Sequence, residues 1–93
     1  MFDVDIYSPE RRIFKGQAKH LVARGTEGSF GILTGHAPFM TTLMPGPIRV
    51  DVSDTDHKIF EVSGGFLEVD SNRVIVLADS ASEQAVKNNA DCK

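Results

Sequence analysis

The chain holds a single cysteine, Cys92, and no tryptophan. One thiol forms no internal disulfide and has no second cysteine with which to share a metal, so neither a disulfide framework nor a cysteine-based zinc site is expected. The count fits a reducing compartment. Basic residues do not cluster: Lys and Arg are scattered singly apart from Arg11-Arg12, and the net charge is −3. That excludes the cationic stripe that tracks nucleic-acid phosphates and the basic field that seeks anionic lipid. Apolar runs extend only a few residues, far short of a bilayer span. The opening Met1-Phe2-Asp3-Val4-Asp5-Ile6 carries acids where a secretory leader needs positive charge. Any membrane role is therefore expected to be peripheral.

What is present suffices for one domain of modest core. The chain has 93 residues, 41% of them hydrophobic and 25% charged, enough apolar material to offset the entropy of ordering. The hydrophobic period is two almost throughout. Phe2, Val4 and Ile6 alternate with Asp3, Asp5 and Tyr7, as in a half-buried strand. Ser8-Pro9-Glu10 ends that strand, because proline has no amide to continue a ladder. Ile13-Phe14 and Ala18 to Arg24 read as short strands parted by Gly16, and Phe30 to Leu33, Phe39 to Leu43 and Ile48 to Val52 as three more. Ile59 to Val62, Phe66 to Val69 and Arg73 to Leu77 complete the set, with turn chemistry at Gly25-Thr26-Glu27-Gly28, Ser53 to Asp56, Ser63-Gly64-Gly65 and Asp70-Ser71-Asn72. Eight to ten short strands, roughly evenly punctuated, predict an all-β sandwich or flattened barrel over residues 1–79. Only Ser80 to Asn88 offers a helical period, with Ser80 and Glu83 placed as a capping box. A short C-terminal helical stub is expected there, within a tail spanning 80–93.

Constellations that carry chemistry are sparse. Gly25, Gly28 and Gly31 recur every third residue, but they feed a strand and no Lys-Ser or Lys-Thr follows, so they read as turn geometry and not as a phosphate cradle. His20, His36 and His57 lie far apart, without the close ligand spacing of a zinc site. His20 reads as a strand residue and His57 as a turn residue, while His36 stands in a loop between Gly35 and Pro38. No serine sits in a Gly-x-Ser-x-Gly elbow. The acid pairs Asp3/Asp5 and Asp54/Asp56 read as solvated carboxylates, not as an acid/base pair. A non-enzymatic binding role is the stronger reading; a small hydrolase using His36, or a generic all-β ligand-binding module, are the alternatives.

Four blocks then stand in order: Gly28-Ser29-Phe30-Gly31-Ile32-Leu33-Thr34-Gly35-His36-Ala37-Pro38, Leu43-Met44-Pro45-Gly46, Val62-Ser63-Gly64-Gly65-Phe66-Leu67-Glu68-Val69 and Val74-Ile75-Val76-Leu77-Ala78-Asp79. With the opening Val4-Asp5-Ile6-Tyr7-Ser8-Pro9-Glu10, they closely resemble the N-terminal domain of the ε subunit of bacterial and chloroplast ATP synthases, called δ in mitochondria. The resemblance implies a ten-stranded β-sandwich at the foot of the central stalk. It implies a rotor part, not a catalyst, that binds the γ subunit and the ring of c subunits and couples proton flow to ATP synthesis. The positions it implies for γ are Ser8, His36 and Thr41; for the c-ring it implies the loop Glu27, Gly28, Ser29 and Phe30. At Ser29 the family often carries a carboxylate, and Glu27 is the candidate to stand in for it. No cofactor and no small-molecule ligand are implied. The expected location is the cytoplasmic face of a bacterial inner membrane, or the stromal thylakoid face in a plastid. Family members continue into two antiparallel helices that inhibit hydrolysis and in some members bind ATP. About a dozen residues follow the last block here, too few for two packed helices. The polar tail Lys87 to Lys93 reads as a chain end, so a naturally short member without that inhibition is expected.

Overall fold

The computed structural model of the chain describes residues 1–84. Ten strands follow one another without a helix among the described residues: β1 (Phe2–Tyr7), β2 (Arg12–Ala18), β3 (His20–Gly25), β4 (Gly28–Leu33), β5 (Phe39–Leu43), β6 (Gly46–Asp51), β7 (His57–Val62), β8 (Gly65–Asp70), β9 (Arg73–Ala78) and β10 (Ala81–Gln84). They hydrogen-bond in the order β10-β7-β6-β3-β5-β8-β9-β1-β2, with β4 on the free side of β3. The all-β sandwich read from the sequence is what forms. One layer is β5-β8-β9-β1-β2 and the other is β4-β3-β6-β7-β10. They join where β3 changes partner: Leu21 pairs with Val50 on β6, but Gly25 pairs with Leu43 on β5.

The alternation explains the core directly. Phe2, Val4 and Ile6 of β1, Leu67 and Val69 of β8, and Val74 and Val76 of β9 face inward from the first layer. Leu21, Ile32, Ile48, Val50 and Phe60 meet them from the second, and these side chains form a single buried cluster. Burying a large aliphatic or aromatic side chain contributes roughly 1.5–3 kcal/mol, so the period-two pattern is also the main source of stability. The β8–β9 hairpin is a two-residue turn with both central residues in the left-handed region, Ser71 at φ 52° and Asn72 at φ 62°. That is the mirror-image turn whose twist matches its flanking strands.

Three details differ from the sequence reading. Gly16 does not break a strand; β2 runs through it, opposite Val4. Phe14 occupies the space its side chain would need, since a Cβ at residue 16 would stand 2.9 Å from the Phe14 ring. His57 begins β7 and is not a turn residue. The expected helical stub is a strand where it can be seen. Ala81–Gln84 pairs antiparallel with β7, from Ala81↔Val62 to Gln84↔Ile59. A lone helical turn gains few hydrogen bonds, whereas the open edge of β7 offers a full ladder. Lys58 and Glu83 add an ion pair at 3.6 Å, and Ser80 Oγ donates to Ser63 Oγ at 2.9 Å. The sheet thus continues to Gln84, past residue 79. The rest of the expected stub to Asn88, and the tail to Lys93, lie outside the described residues.

Candidate functional site

The residues expected to face partners fall in two places. Ser8 follows the end of β1, where its N–H and its hydroxyl both donate to the Arg11 carbonyl, at 2.9 and 3.2 Å. It lines a shallow cleft of about 270 Å³ with Tyr7, Pro9, Leu77 and Asp79. His36 stands at the other end of this layer, in the β4–β5 loop. Its Nδ1 lies 2.7 Å from the Ala37 carbonyl oxygen, and its ring meets Phe39 edge-on at 5.8 Å. Phe39 in turn meets Phe30 edge-on at 5.2 Å, a favoured aromatic geometry. A Cβ on Gly25 would stand 3.0 Å from Phe30 and 3.2 Å from Thr41 Oγ1. His36, Phe39, Phe30 and Thr41 are therefore brought together through Phe39 and Gly25, and Ser8 is left apart. Thr41 shares the inner side of β5 with Leu43, opposite the buried Leu67. Glu27, Gly28 and Ser29 are exposed at the tip of the β3–β4 hairpin, where Gly28 adopts φ 124°, a conformation that side chains resist.

Sequence reading missed the residue that positions the His36 loop. Asn72 Oδ1 accepts from the Gly35 N–H at 3.0 Å, and Asn72 Nδ2 donates to the Met1 carbonyl at 2.8 Å. One turn amide thus ties the β4–β5 loop to the start of β1. Its only sequence signal was an asparagine in a tight turn.

The outward face of the β5-β8-β9-β1-β2 layer is the least ordinary surface. Register aligns Tyr7, Leu77, Phe66 and Thr42 in one outward row. The next row is Lys15, Asp5, Ile75, Glu68 and Met40. Leu77 is 53% exposed and Met40 59%, so apolar atoms run across the strands in contact with water. Asp5, expected to be solvated, is only 3% exposed. The side chains around it on a five-stranded outer face cover it, which period-two alternation cannot foretell.

The opposite layer carries a second covered aspartate. Asp51 on β6 lies between His20 on β3 and His57 on β7, each paired with it across a ladder. Arg49 Nε donates to its Oδ1 at 2.8 Å, His57 Nδ1 lies 2.7 Å from the same oxygen, and His20 Nδ1 lies 3.3 Å from Oδ2. Burial pushes the Asp51 carboxyl up, but the bonds from Arg49, His57 and His20 outweigh it and hold the carboxyl below the ordinary range. Among the described residues no group of three or more His, Cys, Asp or Glu is arranged to hold a metal ion.

Residues 1–84 match the family described as ATP synthase, Delta/Epsilon chain, beta-sandwich domain. The chain belongs to this family. It is 49% identical over 81 residues to the ATP synthase epsilon chain of Chromohalobacter salexigens, covering 87% of this chain and 57% of that one. It is 52% identical over 77 residues to the epsilon chain of Teredinibacter turnerae, covering 83% and 55%. The chain thus spans little more than half the length of these ATP synthase epsilon chains. Among solved structures, a chain in the Euglena gracilis mitochondrial ATP synthase, seen with OSCP, F1 and the c-ring, superposes with a TM-score of 0.80 at 24% identity, covering 86% of this chain and 51% of that one. A chain of the Tetrahymena thermophila mitochondrial ATP synthase central stalk and c-ring gives 0.70 at 20%, covering 86% and 64%. These two likenesses establish the delta/epsilon sandwich fold.

Proposed function

We propose that this chain is the β-sandwich of a central-stalk rotor subunit of an F-type, proton-translocating ATP synthase. In this reading it makes no catalytic contribution. It docks on the γ subunit and the c-ring, turns with them, and couples proton flow to ATP synthesis in the catalytic head. Its place is peripheral, on the cytoplasmic face of a bacterial inner membrane or the stromal thylakoid face, attached through the complex. Family membership motivates the reading. The observation that carries it is the apolar outward row of Tyr7, Leu77 and Phe66, with Leu77 half exposed. Such a band on one face of a small sandwich supplies contact area for a protein partner. The close-packed interior beneath it deforms little and so passes torque from one partner to the other.

The γ contact is assigned to that face together with Ser8, His36 and Thr41, and the c-ring contact to the exposed turn Glu27-Gly28-Ser29 with Phe30 behind it. Thr41 contributes from the inner side of β5, beside Gly25, and not by touching γ directly, since Thr42 is the neighbour that faces outward. The test is co-purification of the chain with cognate γ, comparing wild type with Leu77→Asp, Thr42→Arg and His36→Ala. Leu77→Asp should weaken binding roughly tenfold or more, as loss of an apolar anchor does. Failure of the folded wild-type chain to bind cognate γ would sink the reading.

A further inference from the structure

Asp5 occupies the centre of the outward face, paired across the ladders with Lys15 on β2 and Ile75 on β9. Its side chain is 5% exposed, and its Oδ2 lies 3.5 Å from Arg73 Nη2, a loose contact to a side chain that is itself 53% exposed. Its Oδ1 is buried and accepts no hydrogen bond among the described residues. Lys15 stands directly opposite, yet among the described residues it forms no ion pair with Asp5 or any other acid. A buried carboxylate oxygen without a donor costs folding free energy, so its place here calls for a compensating role.

The surroundings indicate what kind of group would satisfy it. Asp5 lines a cleft of about 250 Å³ with Asp3, Lys15 and Gln17. A second cleft of about 450 Å³ adjoins it through Asp3 and is lined by Glu68, Asp70 and Arg73. Four carboxylates thus face two cations. Asp3 and Asp5 point to the same side of one strand, about 6.6 Å apart along it, and only Asp3 has a neutral donor, Gln17 Nε2 at 3.2 Å. A planar guanidinium, with donors spread in a fork, bridges two acceptors in a way a compact ammonium does not. We propose that Asp5 and Asp3 form a receptor for an arginine side chain of the partner that docks on this face. The inference rests on the docking reading above. The apolar row of Tyr7, Leu77 and Phe66 supplies contact area, and the acidic pair beside it selects a partner with a guanidinium at one place and fixes its register.

The test uses the whole chain, labelled with ¹⁵N, titrated with Nα-acetyl-arginine amide and in parallel with the neutral acetyl-citrulline amide. Saturable shifts at Asp3, Asp5, Lys15 and Gln17 with arginine, absent with citrulline, are expected. Asp5→Asn, which keeps the shape and removes the charge, should abolish them. Lys15→Ala removes a competing cation and should tighten arginine binding while leaving Tm unchanged. Asp5→Val should leave Tm unchanged or raise it, because the free chain gains nothing from the unpaired oxygen. The proposal is overturned if citrulline shifts the same amides equally, or if Asp5→Val or Lys15→Ala lowers Tm by more than about 5 °C, the scale of a lost structural ion pair in a domain of this size. In co-purification with γ, Asp5→Asn should weaken binding at least about tenfold. If wild type binds no γ but still binds the arginine probe, the docking partner is misassigned and the receptor stands. If wild type binds γ, Asp5→Asn binds equally and arginine produces no shifts, the receptor falls and the docking reading stands.

Discussion

Asp5 and Asp51 hold matching places in the two layers. Each sits on the outward face of an inner strand, and each is nearly inaccessible, at 3% and 7% exposure. Asp51 is surrounded by Arg49, His57 and His20, so both of its oxygens have partners. Asp5 has Arg73 at 3.5 Å on one oxygen and none on the other. Burial is thus the same in both, and what separates them is the supply of donors. A covered carboxylate whose donors come from its own fold works as a cross-link between strands. One whose fold withholds them is a poor cross-link and a good receptor, because a partner's donor meets an acceptor already stripped of water.

The most drastic way to erase the contrast is to remove the frame both residues share. Gly65 opens β8 at φ 147°, and a Cβ there would stand 2.2 Å from the Leu77 carbonyl oxygen and 2.8 Å from Ala78 Cα. These are backbone atoms that cannot swing away. Gly65→Ala should cost about 4 kcal/mol or more and leave the chain without a cooperative unfolding transition in circular dichroism. A more discriminating pair is Asp51→Ala against Asp5→Val in urea denaturation. Asp51→Ala strips three donors of their acceptor and should cost about 2 kcal/mol, whereas Asp5→Val should cost under about 0.5 kcal/mol or stabilise. Equal losses would mean that the two carboxylates do the same job.

Acid sharpens the contrast without mutation. The folded Asp51 carboxyl lies below its ordinary value of 3.8, so the folded form binds its proton less readily than the unfolded one. Its contribution is then fully present above about pH 4 and is lost as pH falls through the folded pKa. Wild type should lose stability over that acid range more steeply than Asp51→Asn, measured by urea midpoints from pH 6 down to pH 2.5. The smallest effect is expected at Asp54. Its carboxyl is also held low, by the hydrogen bond from Lys19, but its side chain is 87% exposed. Surface pairs of this kind contribute little, and Asp54→Ala should leave the urea midpoint unmoved at 0.15 M salt.

The parts legible in the sequence were those that depend on near neighbours along the chain. Alternation exposed nine strands because each has an apolar side to hide, and the glycine- and asparagine-rich turns marked where they reverse. β10 escaped because Ala81-Ser82-Glu83-Gln84 has no apolar side; its strand state comes from the waiting edge of β7. The two aspartates escaped for a related reason. Outward-facing positions are assumed wet, and only the register across β3, β6 and β7 sets His20 and His57 on either side of Asp51. Of the residues expected to face partners, the exposed Glu27–Ser29 tip could be anticipated from turn chemistry. That Thr41 turns inward could not, since Phe39-Met40-Thr41-Thr42-Leu43 lacks a clear polar side.

One ladder bears on how the chain reaches this state. β1 pairs in parallel with β9, from Asp3↔Arg73 to Tyr7↔Leu77, so during synthesis β1 waits for a strand some seventy residues further along before its second edge is occupied. In the interval, the amides and carbonyls on that side of β1, next to Phe2, Val4 and Ile6, remain open to mispairing with neighbouring nascent chains. Closure over so long a stretch of sequence also makes folding slow for a domain of this length. The acids at positions 3 and 5 then act before any native contact exists, as like charges that keep the open β1 segments of different polypeptides from stacking on one another.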